Sequence, residues 1–261
     1  MKKIVIAFLI LINAQLNAQQ KLAIVYDENA QVRKVPSFNA ISVSSAIDLY
    51  LTQSNESKVA VSASNDDIRN HITTEVEGGV LIIRLRESSS WFNWKKWGNY
   101  KTKAYVSIKD VNAITASGAS DIHIINKLES PKIRIKLSGA SDIKGEISAG
   151  TIIYDLTGAS DCNNLVEANS ISITGDGASR IELQGNVDDL SVIVSGASVA
   201  KLYNLSSKGA ILKASGASNI QAMATEILKA NAAGASNIDY KGNPTIKESN
   251  YSGASNIRHK N

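Results

Sequence analysis

Apolar and polar residues alternate in short runs along most of this chain, and the runs line up when they are aligned on a recurring Gly-Ala-Ser. That tripeptide has its glycine at Gly118, Gly139, Gly158, Gly177, Gly196, Gly216, Gly234 and Gly253, with successive gaps of 21, 19, 19, 19, 20, 18 and 19 residues. Four positions after each glycine stand Ile122, Ile143, Cys162, Ile181, Ala200, Ile220, Ile238 and Ile257, all apolar. The next position holds His123, Lys144, Asn163, Glu182, Lys201, Gln221, Asp239 and Arg258, all polar. Four positions before the glycine the column reads Ile114, Ile135, Tyr154, Ile173, Val192, Leu212, Ala230 and Ser249. Neighbouring residues that face opposite ways are the mark of a strand. Each repeat therefore predicts short strands on either side of a Gly-Ala-Ser corner.

One repeat of this length cannot bury its own apolar face, but stacked coils can, because equivalent residues then fall above one another at the sheet spacing of ~4.8 Å. The prediction is all-β: a parallel β-solenoid with coils of about 19 residues, right-handed by analogy with parallel crossovers, running from about Phe38 to Ile257. Helical repeats fit poorly, given the Ile, Val and Thr content and the period of two. At the corner, glycine is expected to supply a conformation or an approach closed to larger residues. The alanine is expected to pack inward, and the serine hydroxyl to bond local backbone or its counterpart in the next coil.

Upstream the pattern is weaker. Residues 19–33 lead in, and strand-like sequence begins at Phe38, Ile41 and Val43. Ser44-Ser45-Ala46-Ile47-Asp48-Leu49 reads as a decayed corner, with Asp48 and Leu49 standing where Asp121 and Ile122 stand. Residues 65–72 suit a turn or short helix, and Val80 to Leu85 a strand after a Gly78-Gly79 turn. Residues 19–113 thus form an irregular N-terminal part of the solenoid and residues 114–261 its regular part. Atypical terminal coils are usual where a repeat array must be capped.

Composition refines this picture in three places. Met1 to Ala18 reads as a secretory signal: Lys2 and Lys3, an apolar stretch from Ile4 to Ile12, and a small-residue cleavage site at Leu16-Asn17-Ala18. The apolar stretch is too short for an ordinary membrane span, and the mature chain shows no other candidate. The formal net charge of +4 falls to about +2 once that leader is removed, and no basic block marks a nucleic-acid partner. Cys162 is the sole cysteine, so no internal disulfide forms; it sits in the inward column and reads as a small buried hydrophobe.

Residues 87–102 break the alternation. They hold Trp91, Phe92, Trp94, Trp97 and Tyr100, with Lys95, Lys96 and Lys101 among them. Two readings stand: a flap whose aromatics cover the solenoid, or a contact surface for a glycan, peptide or membrane.

The segments Val35-Pro36-Ser37-Phe38-Asn39-Ala40-Ile41, Ala46-Ile47-Asp48-Leu49-Tyr50-Leu51 and Glu77-Gly78-Gly79-Val80-Leu81-Ile82-Ile83, followed by Ile114-Thr115-Ala116-Ser117-Gly118-Ala119-Ser120-Asp121-Ile122, occur in an order that resembles the putative auto-transporter adhesin head GIN domain family of secreted bacterial proteins. The resemblance runs from about Val32 to the end of the chain and leaves the Trp-rich excursion unmatched. It implies a secreted β-solenoid called an adhesin by analogy, with no established ligand or catalytic residue. The functional expectation is an exported binding or structural module in the periplasm, at the cell surface or outside the cell, with a surface glycan or protein as partner. Its competitor is a polysaccharide-acting enzyme on the same scaffold. The carboxylates Asp121, Asp142 and Asp161 are the candidates for such chemistry, yet their column continues as Arg180, Val199, Asn219, Asn237 and Asn256, which turn-forming residues explain more simply than an acid and base pair. No catalytic, cofactor-binding or dedicated metal motif is present. A hard cation such as Ca²⁺ between the three carboxylates is one reading of the column, and carboxylates that cap their corners or face water the other.

Overall fold

At each Gly-Ala-Ser the chain turns a corner that few residues other than glycine tolerate. In a computed structural model, which describes residues 27–86 and 101–261, Gly139, Gly158, Gly177 and Gly196 all have φ between +67° and +77°. A Cβ on Gly177 would lie 2.7 Å from the carbonyl oxygen of Gly158 in the coil before it. That closeness lets the backbone ladder continue around the bend: Ala159 N–H donates to Gly139 O at 2.7 Å, Ala178 to Gly158 at 2.8 Å and Ala197 to Gly177 at 2.7 Å.

The alternation predicted from the columns is present. The strands are β1 (Gln31–Arg33), β2 (Ala40–Val43), β3 (Ile47–Gln53), β4 (Lys58–Ala63), β5 (Ile72–Glu77), β6 (Val80–Leu85), β7 (Thr102–Ile108), β8 (Ala113–Ala116) and β9 (Asp121–Ile124). The long strands follow: β10 (Leu128–Leu137), β11 (Asp142–Leu156), β12 (Asp161–Gly175), β13 (Arg180–Val194), β14 (Val199–Ala214) and β15 (Asn219–Ala232). The last three are β16 (Asn237–Lys241), β17 (Thr245–Tyr251) and β18 (Asn256–His259). From β8 onward every pairing among the described residues is parallel. The result is a parallel β-solenoid of about 8 turns with coils about 19 residues apart. Ile143, Cys162 and Ile181 stack in register, as do Ile135, Tyr154 and Ile173, and all six are at most 1% exposed. The long gap between Gly196 and Gly216 is absorbed by register shifts in β14, between Leu202 and Ser206, so the columns on either side stay aligned.

The corner itself differs from expectation in one respect. The alanine of each Gly-Ala-Ser is exposed and the serine is the buried member: Ser120, Ser141, Ser160, Ser179, Ser198, Ser218, Ser236 and Ser255 are 0–5% exposed. Period-two alternation carried back from the inward isoleucine lands on the serine. The buried hydroxyls find partners nearby. Ser160 Oγ donates to Thr157 O at 2.9 Å, Ser236 Oγ to Ala233 O at 2.8 Å and Ser255 Oγ to Ser252 O at 2.7 Å, whereas Ser179 Oγ donates to Ser198 Oγ at 3.1 Å in the next coil.

The N-terminal part departs further from a simple stack. Leu49 pairs with Ile122, so the decayed corner occupies the predicted register, and Ser45 and Ala46 there adopt φ of 69° and 55° without a glycine. The coil β2–β3 does not end the stack, however. It lies between β8–β9 on one side and β6–β7 on the other. Two antiparallel additions close that end: β5 pairs β6 as a hairpin through Gly78 and Gly79, and β4 pairs both β7 and β1. Between β4 and β5 runs α1 (Asp66–His71), whose first turn is capped by Asn65 Oδ1 accepting from Ile68 N at 2.9 Å. Ile68 is fully buried.

Candidate functional site

On the arm that follows each corner, two rows flank the inward isoleucine. The first row runs Asp121, Asp142, Asp161, Arg180 in strand register. It extends to Asp48, the residue before Leu49 and the register partner of Lys103. Four carboxylates therefore stand in line at the coil spacing of ~4.8 Å, bracketed by a lysine and an arginine. Arg180 Nη1 donates to Asp161 Oδ2 at 3.0 Å. At the other end Lys103 Nζ reaches Asp27 Oδ2 at 3.3 Å. The carboxyl of Asp27 is partly buried, but donation from Ser62, Tyr105 and Lys103 holds it below the ordinary carboxylate range.

Crowding leaves a mark on the middle of the row. Burial, reinforced by the neighbouring Asp48, pushes the Asp121 carboxyl up; burial, then Asp121 and Asp161 on either side, pushes Asp142 up.

The second row is aromatic where the first is acidic. Tyr105, Tyr50 and His123 are register partners across β7, β3 and β9. The tyrosine rings stack at 5.3 Å between centroids and His123 lies 4.8 Å from Tyr50. Burial and the ammonium of Lys144 hold the His123 imidazole below its usual range. Tyr105 is buried at the end of this row, so the face presents the partly exposed rings of Tyr50 and His123 beside hydrogen-bond acceptors. The sequence columns already placed His123 outward; the two tyrosines join it only once the decayed corner is put in register.

The carboxylates form a line and not a cage. Among the described residues no three His, Cys, Asp or Glu side chains converge as a metal site requires. Cys162 is buried within a polar knot: its thiol and the Tyr154 hydroxyl both donate to Asn164 Oδ1, at 3.1 and 3.2 Å, and Asn164 Nδ2 donates to Gly145 O at 3.0 Å. Burial pushes the thiol far up, so it has no nucleophilic character at neutral pH.

Trp91, Phe92, Trp94, Trp97 and Tyr100 lie outside the described residues, as does the leader Met1 to Ala18. The flanks of the aromatic segment are described. Val43 pairs with Ile83 and Ile47 with Thr102, so β6 and β7 run beside β2 and β3.

Comparison with known proteins gives a consistent picture. The family model described as putative auto-transporter adhesin, head GIN domain, matches residues 37–244. No curated protein matches the chain. A crystal structure described as a putative adhesin from Parabacteroides merdae superposes with a TM-score of 0.81 at 16% identity, covering 89% of this chain and 95% of the other. A putative adhesin from Parabacteroides distasonis gives 0.77 at 21% identity, with 88% and 96% covered. A putative lipid binding protein from Parabacteroides distasonis gives 0.76 at 21% identity, with 90% and 98% covered. At these identities the likeness is one of fold.

Proposed function

Because the chain belongs to the putative auto-transporter adhesin, head GIN domain family, we propose that it is a non-catalytic binding module of the cell envelope, exported by the leader Met1 to Ala18, whose partner is a surface glycan or protein. The observation that carries this reading is the division of labour in each coil. Inward columns fill a continuous apolar core, which leaves the outward rows free to be varied without cost to the fold. The acidic row, with Tyr50 and His123 beside it, is the most differentiated part of that surface. No helix among the described residues is long and apolar enough to cross a membrane.

Within this reading Trp91, Phe92, Trp94, Trp97 and Tyr100 form the contact. Exposed tryptophan and tyrosine supply large apolar area with a polar edge, which suits both sugar rings and protein surfaces. The experiment is the Trp91→Ala, Trp94→Ala, Trp97→Ala variant, assayed for binding to arrayed glycans and host matrix proteins beside a thermal melt. Loss of binding with an unchanged melt is the expected result. A melt lowered by the ~3–5 kcal/mol that truncating a buried aromatic costs would instead give these rings a packing role.

A further inference from the structure

At the opposite bend of each coil, away from the Gly-Ala-Ser corner, a groove of about 500 Å³ runs along the solenoid axis across β11, β12, β13 and β14. One rim is the register row Ser148, Glu167, Asn186, Ser206. The other carries Asn169, Asp188 and Lys208. Between them the inward row Ala149, Ala168, Val187 makes a floor of short side chains, and that shortness is why a groove exists here. The sheet ladder also breaks at this bend: the register passes from Ala149–Ala168 to Thr151–Ser170 and skips Gly150 and Asn169.

We propose that this groove binds an extended, uncharged or amino-sugar oligosaccharide, laid along the axis with about one sugar ring to each coil. The proposal rests on the binding-module reading and gives it a ligand class. The rims offer matched donors and acceptors. The carboxamides of Asn169 and Asn186 have no hydrogen-bond partner among the described residues, and each presents two donors and a carbonyl. Glu167 and Asp188 add acceptors, and Lys208, 2.6 Å from Asp188 Oδ1, adds a held ammonium. Hydroxyl-bearing ligands need this mixture. Other occupants fit less well. Lys127 holds Glu167 at 3.4 Å and Lys208 holds Asp188, so the rims carry no net positive charge to draw the phosphates of a nucleic acid or the uronates of an acidic glycan. A protein partner would want an aromatic or aliphatic anchor pocket, and the floor is alanine and valine. Coils repeat every ~4.8 Å, close to the length of one pyranose in an extended β-linked chain, so each ring meets an equivalent pair of rim residues.

The test is calorimetric titration of the full chain with cellohexaose, chitohexaose, a hexamer of glucosamine and a hexamer of galacturonate, repeated with shorter members of the series that binds. The Asn169→Ala, Asn186→Ala double variant is compared with the triple tryptophan variant. Both asparagines are exposed, so folding is not at stake and a melt verifies it. The expected result is binding of a neutral or glucosamine hexamer, with affinity rising up to about four rings for the four coils that line the groove. Two lost polar contacts should then weaken binding by at least about tenfold in the asparagine variant. Binding that survives the asparagine changes but disappears with the tryptophans overturns the groove and leaves the binding-module reading standing. Preference for galacturonate overturns the ligand class, and no heat with any hexamer at millimolar concentration overturns the proposal outright.

Discussion

Gly177 shows how much of this fold rests on single corner residues. Its φ of +77° and the 2.7 Å approach of a Cβ to Gly158 O impose two separate costs on any replacement. Left-handed backbone costs an L-residue ~1–2 kcal/mol, and the clash is with backbone that belongs to a hydrogen-bonded ladder and cannot step aside. Gly177→Ala should therefore destabilise by more than about 2 kcal/mol in a denaturant titration, whereas the same change at an ordinary exposed strand glycine costs nothing or gains stability. An unchanged midpoint would show that the corners do not stack this closely. The corner also shows what the residues made legible. The glycine role was readable from its recurrence. The inward serine was readable in principle from the phase of the isoleucine column, but small size alone favoured the alanine. The deciding fact, a carbonyl three residues back within reach of the hydroxyl, is a matter of geometry that no column of letters carries.

Among the elements, the regular strands were legible because one column constrains the next. Their period, their facing and the register of the decayed corner at Leu49 all follow from alternation. The order of the N-terminal coils was not legible, because β2–β3 pairs with two coils that are distant in sequence and nothing local says which comes first. The antiparallel partners β4 and β5 were hidden for the same reason: a short alternating run has no preferred direction. The aligned strands also make a prediction about charge. Asp121 and Asp142 have raised folded-state pKa values, so each binds its proton more tightly folded than unfolded. Their ionised forms subtract from stability above the folded pKa, and that loss is recovered as pH falls through it. Asp142→Asn should thus stabilise the chain at neutral pH, by a few tenths to ~1 kcal/mol because the row is partly solvated. The advantage should shrink on acidification and in high salt. A variant less stable than wild type at neutral pH would mean that Asp142 is a capping residue and not one member of a repelling row.

At the scale of the whole molecule, the solenoid separates what holds it together from what it can touch. The core is one continuous apolar cluster, and the outward rows ride on it without contributing to it. That arrangement suits recognition along a rigid face. The general shape was legible from eight copies of one tripeptide; the groove at the opposite bend was not, because it depends on short inward residues whose neighbours become rims only after the coils are stacked. The most direct test of the account is to incubate the full chain with arrayed neutral, amino-sugar and acidic glycans and to measure retention and newly released reducing ends in the same samples. The account predicts saturable retention of at least one glycan class with no reducing ends above background. Release of reducing ends would contradict it and place the chain among the polysaccharide-acting enzymes.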